Sequence, residues 1–375
     1  MGGHSDMSAR AAVHGRAGCV GGPGPYPPGA MSLAFIQGRR PLRLPADRPP
    51  VLLVVIDTEE EFDWQAPFER GQTSVEAMRH IGRGQELFDE FGIRPNYVID
   101  YPVASQEAGY RLLREYAADG RATIGAHLHP WVSPPHEEQV SSYNSYPGNL
   151  PPELERAKLE QLVETIEANL GVRPTVYKAG RYGFGPNTTA ALEGLGFEVD
   201  LSPCAGFDLT GDGGPDWSEM PPDAYRFGSA GSLVGFPCTG AFVGWLSGAA
   251  PGLYRASLRA PLRWARTPGI LSRLGALERL MLSPEGYTLE HLKRLTRNLL
   301  ARGQRILTLS FHSPSLEPGH TTYVRTEPEL QAFLSVCRQY FEFFFGECQG
   351  ATMGALELRA LLLDDPPSPS PRPPA

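Results

Sequence analysis

The chain has 375 residues, a formal net charge of -8, a hydrophobic fraction of 41% and a charged fraction of 20%. These values are typical of a soluble globular protein, and the acidic balance argues against a nucleic-acid backbone or an anionic membrane as partner. The five cysteines are an odd number without a Cys-x-x-Cys pair, which indicates reduced thiols rather than a disulfide framework or a thiolate zinc site.

Both ends of the chain resist packing. Residues 1–48 are rich in Gly, Ala, Arg and Pro without helical or strand periodicity, and residues 364–375 are dominated by proline, so we predict disorder at both termini. The folded body then spans residues 49–363. The chain shows neither the apolar core of a signal peptide nor a membrane-spanning apolar run, so we expect a cytoplasmic protein without a transmembrane segment.

The first predicted strand covers residues 51–56, where six uncharged aliphatic residues follow two prolines. Such a run is typical of a strand that is buried on both faces inside a parallel sheet. Asp57 and Glu59 come next and are two residues apart, so their side chains share one face if the strand continues. Carboxylates at such a strand end indicate metal ligands or a general base, and a solvated acidic loop is the alternative interpretation.

Strand-like and helix-like patterns alternate along the body. The predicted strands are 94–100, 122–131, 175–181, 197–200, 232–236 and 305–311. The predicted helices are 74–91, 106–119, 152–170, 188–195, 288–301 and 328–345. This alternation predicts right-handed parallel crossovers and a sheet that closes into a barrel covered by helices. The less regular segment 205–285, with a helix predicted over 270–281, is interpreted as an insertion or lid, or as a layer that closes the barrel.

Ionisable side chains recur at the ends of the predicted strands. They are Asp57, Glu59, His127, His129, Arg181, Asp200 and His312. The carboxyl ends of parallel strands share one face, so we expect these side chains to converge there. His127 and His129 lie on one face of one strand, and two histidines with one carboxylate leave an open coordination position, as in catalytic zinc sites. The pattern therefore predicts a metal site.

A family resemblance rests on these strand ends. The series Ile56-Asp57-Thr58-Glu59, His127-Leu128-His129, Arg181-Tyr182-Gly183-Phe184-Gly185, Asp200 and Leu309-Ser310-Phe311-His312 resembles, in order and spacing, the five motifs of the polysaccharide deacetylase (NodB-homology) family. The resemblance extends over most of the body, roughly from the first predicted strand to the last predicted helix. It implies an α/β fold, a distorted (β/α)7 barrel of the polysaccharide deacetylase type with disordered termini. It also implies a hydrolase that removes N-acetyl or O-acetyl groups from sugars with one divalent metal.

The resemblance implies a metal centre as well. Carried over to this chain, it makes Glu59, His127 and His129 the ligands of a divalent metal, with zinc expected first and cobalt, nickel, manganese or iron as alternatives. Imidazole and carboxylate ligands of this kind suit all of these ions.

The remaining motif residues receive catalytic roles from the same resemblance. Asp57 would be the general base, and Arg181 would pair with it and orient it. Asp200 would hold and tune a histidine, and His312 would be the general acid. The backbone N–H near Phe184 would help to hold the oxyanion.

Three departures from the family pattern leave alternatives open. The family has two adjacent aspartates where this chain has Asp57 and Glu59, which leaves Glu60 or Glu61 as an alternative ligand or base. The family histidines are four residues apart rather than two, which leaves His136 as an alternative ligand. The proline that often follows the arginine of the third motif is missing, so we expect a different local loop.

Trp64 and Trp131 lie just beyond the ends of the first and third predicted strands. We predict that they stack on sugar rings, with packing at the barrel rim as the alternative. The sequence therefore predicts a metal-dependent deacetylase acting on a glycan or glycan precursor, with a carbohydrate partner and no nucleic acid. A hydrolase of a small non-sugar amide and a catalytically inactive carbohydrate-binding barrel in polysaccharide biosynthesis are the alternatives. A two-carboxylate glycosidase is disfavoured, because it has no use for the histidine pair.

Overall fold

The strands establish the architecture of the protein. A computed structural model describes residues 32–36, 38–63, 66–244 and 277–364. Its strands are β1 (Arg40–Pro41), β2 (Val51–Thr58), β3 (Asn96–Ile99), β4 (Thr123–Leu128), β5 (Val176–Ala179), β6 (Val199–Asp200), β7 (Tyr225–Phe227), β8 (Leu233–Gly235), β9 (Gly240–Val243), β10 (Glu278–Met281), β11 (Ile306–His312) and β12 (Ala351–Thr352). All but β9 and β10, which form a separate antiparallel pair, belong to one sheet.

Helices follow most of the parallel strands. They are α1 (Gly82–Glu90), α2 (Tyr101–Ser105), α3 (Glu107–Ala118), α4 (Pro152–Leu170), α5 (Thr188–Leu195), α6 (Leu289–Ala301), α7 (Glu327–Glu342) and α8 (Ala355–Asp364). Among the described residues, no helix combines the length and the apolar composition needed to cross a membrane.

Within the described residues, seven strands run parallel in one row, in the order β11, β2, β3, β4, β5, β6 and β8, and the short β12 pairs parallel with β2 outside this row. The two ends of this row meet without a continuous ladder. Thr239 N donates to Thr308 O at 3.3 Å, and Ser310 N donates to Leu282 O at 3.1 Å, so the segments around Thr239 and Leu282 bridge the seam between β8 and β11. The predicted distorted (β/α)7 barrel is thereby confirmed.

The two faces of the sheet are covered differently. Alternate residues of β2, beginning with Val51, pack on an inner face together with residues of the other strands and with α8. The residues between them, beginning with Leu52, pack on the outer face against the surrounding helices. Side chains alternate between the two faces along a strand. Asp57 and Glu59 lie an even number of positions after Val51, so they point to the same inner face.

Local sequence signals explain several element boundaries. The helix predicted over 152–170 is α4, which has Pro152 in its first turn and ends at Gly171 with φ 73°. The helix predicted from residue 106 is preceded by α2, because Asp100 Oδ1 accepts a hydrogen bond from Val103 N at 2.9 Å and caps that turn. The strand predicted over 94–100 therefore ends at Ile99.

The N-terminal prediction needs correction. Residues 32–36 and 38–48 are ordered within the stretch predicted to be disordered. Ile36 is buried in the core, β1 pairs antiparallel with β7, and Leu42 N donates to Ala224 O at 2.8 Å. The segment gives β7 the hydrogen-bonding partners that a free sheet edge would lack. Residues 1–31 and 37 lie outside the described residues, as do residues 365–375 of the predicted tail.

The predicted insertion or lid over 205–285 is also revised. It contains β7 and β8, which belong to the main sheet, and β9, which pairs antiparallel with β10. The C-terminal part of the helix predicted over 270–281 is instead β10, because pairing with β9 satisfies its backbone groups. Residues 245–276 lie outside the described residues.

Candidate active site

The inner face carries ionisable side chains at its carboxyl end. β11 and β2 pair in register so that His312 lies directly beside Asp57. β4 and β5 pair in register so that His127 lies directly beside Lys178. Strand parity alone therefore gathers two histidines, a carboxylate and an ammonium group inside one end of the barrel.

Three of the buried side chains form a ligand group. The Nε2 atoms of His127 and His129 lie 3.6 Å and 3.4 Å from Glu59 Oε2. His127 Nδ1 lies 2.9 Å from Lys178 O, which can only accept, so Nδ1 carries the proton and Nε2 presents a lone pair. His129 Nδ1 lies 2.8 Å from Glu60 Oε2. Two imidazole nitrogens and one carboxylate oxygen, oriented by outer partners, could hold a divalent metal.

The alternative ligands occupy other places. Glu60 lies on the Nδ1 side of His129, and its backbone N donates to Asp100 Oδ2 at 2.7 Å. Glu61 accepts a hydrogen bond from Ser74 Oγ at 2.8 Å. His136 is exposed and lies outside the ligand group formed by the described residues. The structure brings together the three ligands predicted first, and it also brings Glu60 and Asp100 together with His129 in a second group that could hold a metal.

Asp57 is paired with a lysine that the sequence analysis did not select. Lys178 Nζ lies 2.6 Å and 2.7 Å from the two carboxylate oxygens of Asp57. His312 Nε2 lies 3.8 Å from Asp57 Oδ2. Burial alone would raise the pKa of Asp57, but Lys178, followed by His127 and His312, holds that pKa below its usual value. Asp57 is therefore an ionised carboxylate, able to accept a proton.

His312 is held by a carboxylate from the segment after β10. Its Nδ1 lies 2.7 Å from Glu285 Oε2, and its backbone N donates to Glu285 Oε1 at 3.1 Å. Ser315 Oγ donates to Glu285 Oε1 at 2.6 Å. Burial lowers the pKa of His312, but Glu285, with Glu59 and Asp57, outweighs it and raises the pKa to about 10. The His312 side chain is 25% exposed and reaches the opening of the site.

Arg181 does not take the predicted place beside Asp57. Its guanidinium donates to Asp212 and to Ser145 Oγ, and it stacks 4.1 Å from the ring centroid of Tyr146. Arg181 follows the end of β5 in a left-handed conformation, with φ 55°, and so leaves the alternation that points Lys178 inward. The predicted Arg181–Asp57 pair is wrong, and Lys178 stands in its place.

Asp200 and Phe184 are also placed differently from the prediction. Val199 packs on the inner face, so Asp200 points outward, where it accepts from Ser202 N at 3.1 Å and where burial raises its pKa to about 7. Glu285, rather than Asp200, holds the histidine. Phe184 N donates to Tyr182 O at 3.0 Å, so this N–H is engaged within its own turn rather than open to an oxyanion.

Of the two tryptophans predicted to bind sugar, one is buried and the other lies outside the described residues. Trp131 is only 1% exposed and stacks on His129, with ring centroids 4.3 Å apart. It packs against His129 and has almost no exposed surface. Trp64 lies outside the described residues.

Lys178 and Glu285 are the functional residues that sequence reasoning missed. For Lys178 a signal existed, because it lies two residues after Val176 and so belongs to the inward parity of β5. For Glu285 no periodic signal existed, since it follows a short strand at the end of an irregular segment. Only the closing of the barrel brings it to His312.

Comparison with known proteins supports the architecture. No protein-family model matches the chain, and no curated protein matches it. A solved structure assigned to the polysaccharide deacetylases, from Mycobacterium smegmatis, is 15% identical over 89% of this chain and 98% of its own, with a TM-score of 0.50. Puue allantoinase is 15% identical over 87% of this chain and 94% of its own, with a TM-score of 0.52. The chain therefore has the fold expected from its motifs, in a divergent form.

Proposed function

We propose that the protein is a metal-dependent deacetylase that hydrolyses the N-acetyl group of a glycan or glycan precursor. The observation that supports this most is the position of Asp57, which lies between Lys178 and His312 and beside the buried ligand group of Glu59 and two histidines. Carbohydrate binding alone needs neither a charge-paired carboxylate nor a carboxylate-held histidine, so the inactive-barrel alternative is disfavoured.

We propose that Glu59, His127 and His129 hold zinc, for which cobalt, nickel, manganese or iron could substitute. A zinc ion held by these residues would act as a Lewis acid on the carbonyl oxygen and lower the pKa of water to about 7. Lys178 O and Glu60 hold the Nδ1 atoms of the two histidines and so fix the direction in which both rings point.

The proton transfers are assigned to two side chains. Asp57 accepts the proton of the attacking water, while Lys178 holds the carboxylate ionised and oriented. His312 donates a proton to the departing nitrogen, and Glu285 holds the imidazolium in place through Nδ1. With 3.8 Å between Asp57 Oδ2 and His312 Nε2, both groups reach one reacting centre. The C–N bond breaks, and acetate and a free amine leave.

We propose that residues 49–363 form one catalytic barrel. Residues 38–48 add an edge strand through β1, and the described parts of the segment 205–285 supply two strands of the sheet and one antiparallel strand pair. The site lies where the carboxyl ends of the parallel strands meet, as in other α/β barrels.

A second candidate is a hydrolase of a small non-sugar amide, which fits the low exposure of the reacting groups as well as an acetylated sugar does. Asp57 and Glu59 are each 4% exposed, and both ligand histidines are 1% exposed. A substrate must therefore present a slim acyl group end-on past His312. An acetamido group does so, and a small free amide does so equally well.

The test combines metal content with product release. Purified wild type is assayed by plasma mass spectrometry beside a His127→Ala, His129→Ala double variant, with exposed His136→Ala as the matched control. Acetate release from N-acetylated oligosaccharides is measured on the same samples, together with hydrolysis of small amides.

About one metal per chain, lost together with acetate release only in the double variant, would support the proposal. Metal with turnover of small amides alone would favour the second candidate. A wild type that takes up no zinc or cobalt would refute both.

A further inference from the structure

Arg181 stands at the end of a continuous stack of flat side chains that reaches His129. His129 and Trp131 stack with centroids 4.3 Å apart and planes at 23°. Trp131 meets Phe68 edge to face at 4.8 Å. The Arg181 guanidinium lies 5.0 Å from the Phe68 centroid and 4.1 Å from that of Tyr146. These contacts join three loops that follow different strands of the barrel.

The outer end of the stack is anchored by charge. Arg181 pairs with Asp212, and the Tyr146 hydroxyl donates to the same carboxylate at 2.6 Å. The Arg181 side chain is only 13% exposed, so these contacts are largely shielded from solvent. A guanidinium that contacts two rings and also donates hydrogen bonds is firmly held, because Arg packs on aromatic faces while its edge donates.

The backbone of this turn carries strain. Arg181 and Tyr182 both have left-handed φ values, 55° and 58°, a conformation that is unfavourable for residues other than glycine. Gly180, just before them, has room for no side chain, since a Cβ would lie 2.5 Å from His129 Cδ2. The turn that carries Arg181 is therefore pressed against the same histidine that the stack reaches.

We propose that Arg181 is a positioning residue for the metal centre: through Phe68 and Trp131 it fixes the orientation of the His129 ring. This inference rests on the proposed metal site. His129 Nδ1 is held by Glu60, but a single hydrogen bond does not by itself set the rotation of the ring about it. The stacked Trp131 face removes that freedom and directs Nε2 toward Glu59.

The experiment measures zinc affinity by competition with a chromophoric chelator, and the visible spectrum of the Co²⁺ protein as a second readout. Arg181→Met should weaken zinc binding about 10-fold, the lower end of the 10- to 100-fold range for groups that support a ligand, and should shift the Co²⁺ bands. Arg181→Lys keeps the charge without the planar stack and should behave nearly as Arg181→Met.

Arg121→Met is the matched control. Arg121 also stacks on a tyrosine, Tyr116, at 4.6 Å and pairs with two aspartates, but it belongs to no stack that reaches the site. Its zinc affinity and Co²⁺ spectrum should equal those of wild type. A Phe68→Leu variant should weaken zinc binding as Arg181→Met does, and the double variant should be little weaker than either single one, since both interrupt one path.

Three outcomes overturn the inference. Arg181→Met could bind zinc within 2-fold of wild type, Arg181→Lys could bind like wild type, or the effects of Arg181→Met and Phe68→Leu could add in full. Each result would mean that the stack does not set the ligand. A wild type that binds zinc but releases no acetate would refute the proposed function and leave the inference standing, whereas a wild type without zinc binding refutes both.

Discussion

Lys178 and Asp57 form an ion pair inside the barrel, with both carboxylate oxygens within 2.7 Å of one ammonium nitrogen. Removing one partner of a buried pair costs about 3 to 5 kcal/mol, because the remaining charge stays buried. Lys178→Met should therefore lower the free energy of unfolding by about that amount and abolish acetate release. The combined Lys178→Met, Asp57→Asn variant should recover part of the loss. Urea denaturation of the wild type and the two variants measures this, and equal stability of both variants would contradict it.

We expect Glu285, and not Asp200, to keep His312 protonated and in place as the proposed general acid. Glu285→Gln removes the charge beside His312 Nδ1 and should reduce kcat about 100-fold, the lower end of what general acid–base catalysis contributes. Asp200→Asn should leave kcat within a few fold, since Asp200 faces outward. Steady-state kinetics on both variants decide the matter. If Asp200→Asn were the inactive variant, the assignment from the sequence motif would be right after all.

The stability of the protein should depend on pH through Glu155. Its Oε1 accepts from Thr188 Oγ1, and burial raises its pKa to about 8. The folded protein thus holds a proton that the unfolded chain releases near the ordinary glutamate pKa of 4.5, so stability is full below pH 4.5 and falls as pH rises toward 8. The limiting slope for one proton is about 1.4 kcal/mol per pH unit.

Glu155→Gln should flatten that part of the profile, while Glu160→Gln, at an exposed position on the same helix, should not. Chemical denaturation at a series of pH values compares the three proteins. A Glu155→Gln profile parallel to that of wild type would show that the carboxyl is ionised in the fold.

Metal should stabilise the folded state through the three proposed ligands. An ion that binds only the folded protein adds about 2.7 kcal/mol at 100 times its Kd. Zinc should therefore raise the Tm of the chelator-treated wild type, and should leave the Tm of a Glu59→Gln, His129→Ala variant unchanged. Differential scanning calorimetry with and without zinc measures this. An equal rise in both proteins would place the bound zinc elsewhere.

The features predicted correctly from the sequence are those that depend on residue periodicity and on Pro and Gly at element ends. The limits of α4 follow from Pro152 and Gly171, and the inward direction of Asp57 and Glu59 follows from the parity of β2. These features are local, so they survive folding unchanged.

What failed depends on backbone turns and long-range closure. Arg181 matched a motif by its order along the chain. Its own left-handed conformation and that of the next residue turn the backbone away from the direction of β5. Glu285 reaches His312 only because the chain crosses the barrel seam, a contact between distant segments that no spacing records. Trp131 has the side chain expected of a sugar-stacking residue, but it is buried as a core residue is.

Because of the seam between β8 and β11, the two halves of the site should differ in how often they open locally. β2, which carries Asp57 and Glu59, is paired with β11, β3 and β12, whereas the seam depends on a few bonds around Thr239 and Leu282. Amide protons at the seam should exchange with solvent before those of β2. Since Glu285 lies three residues beyond Leu282, a brief opening there should separate Glu285 from His312 while β2 stays paired with its neighbours.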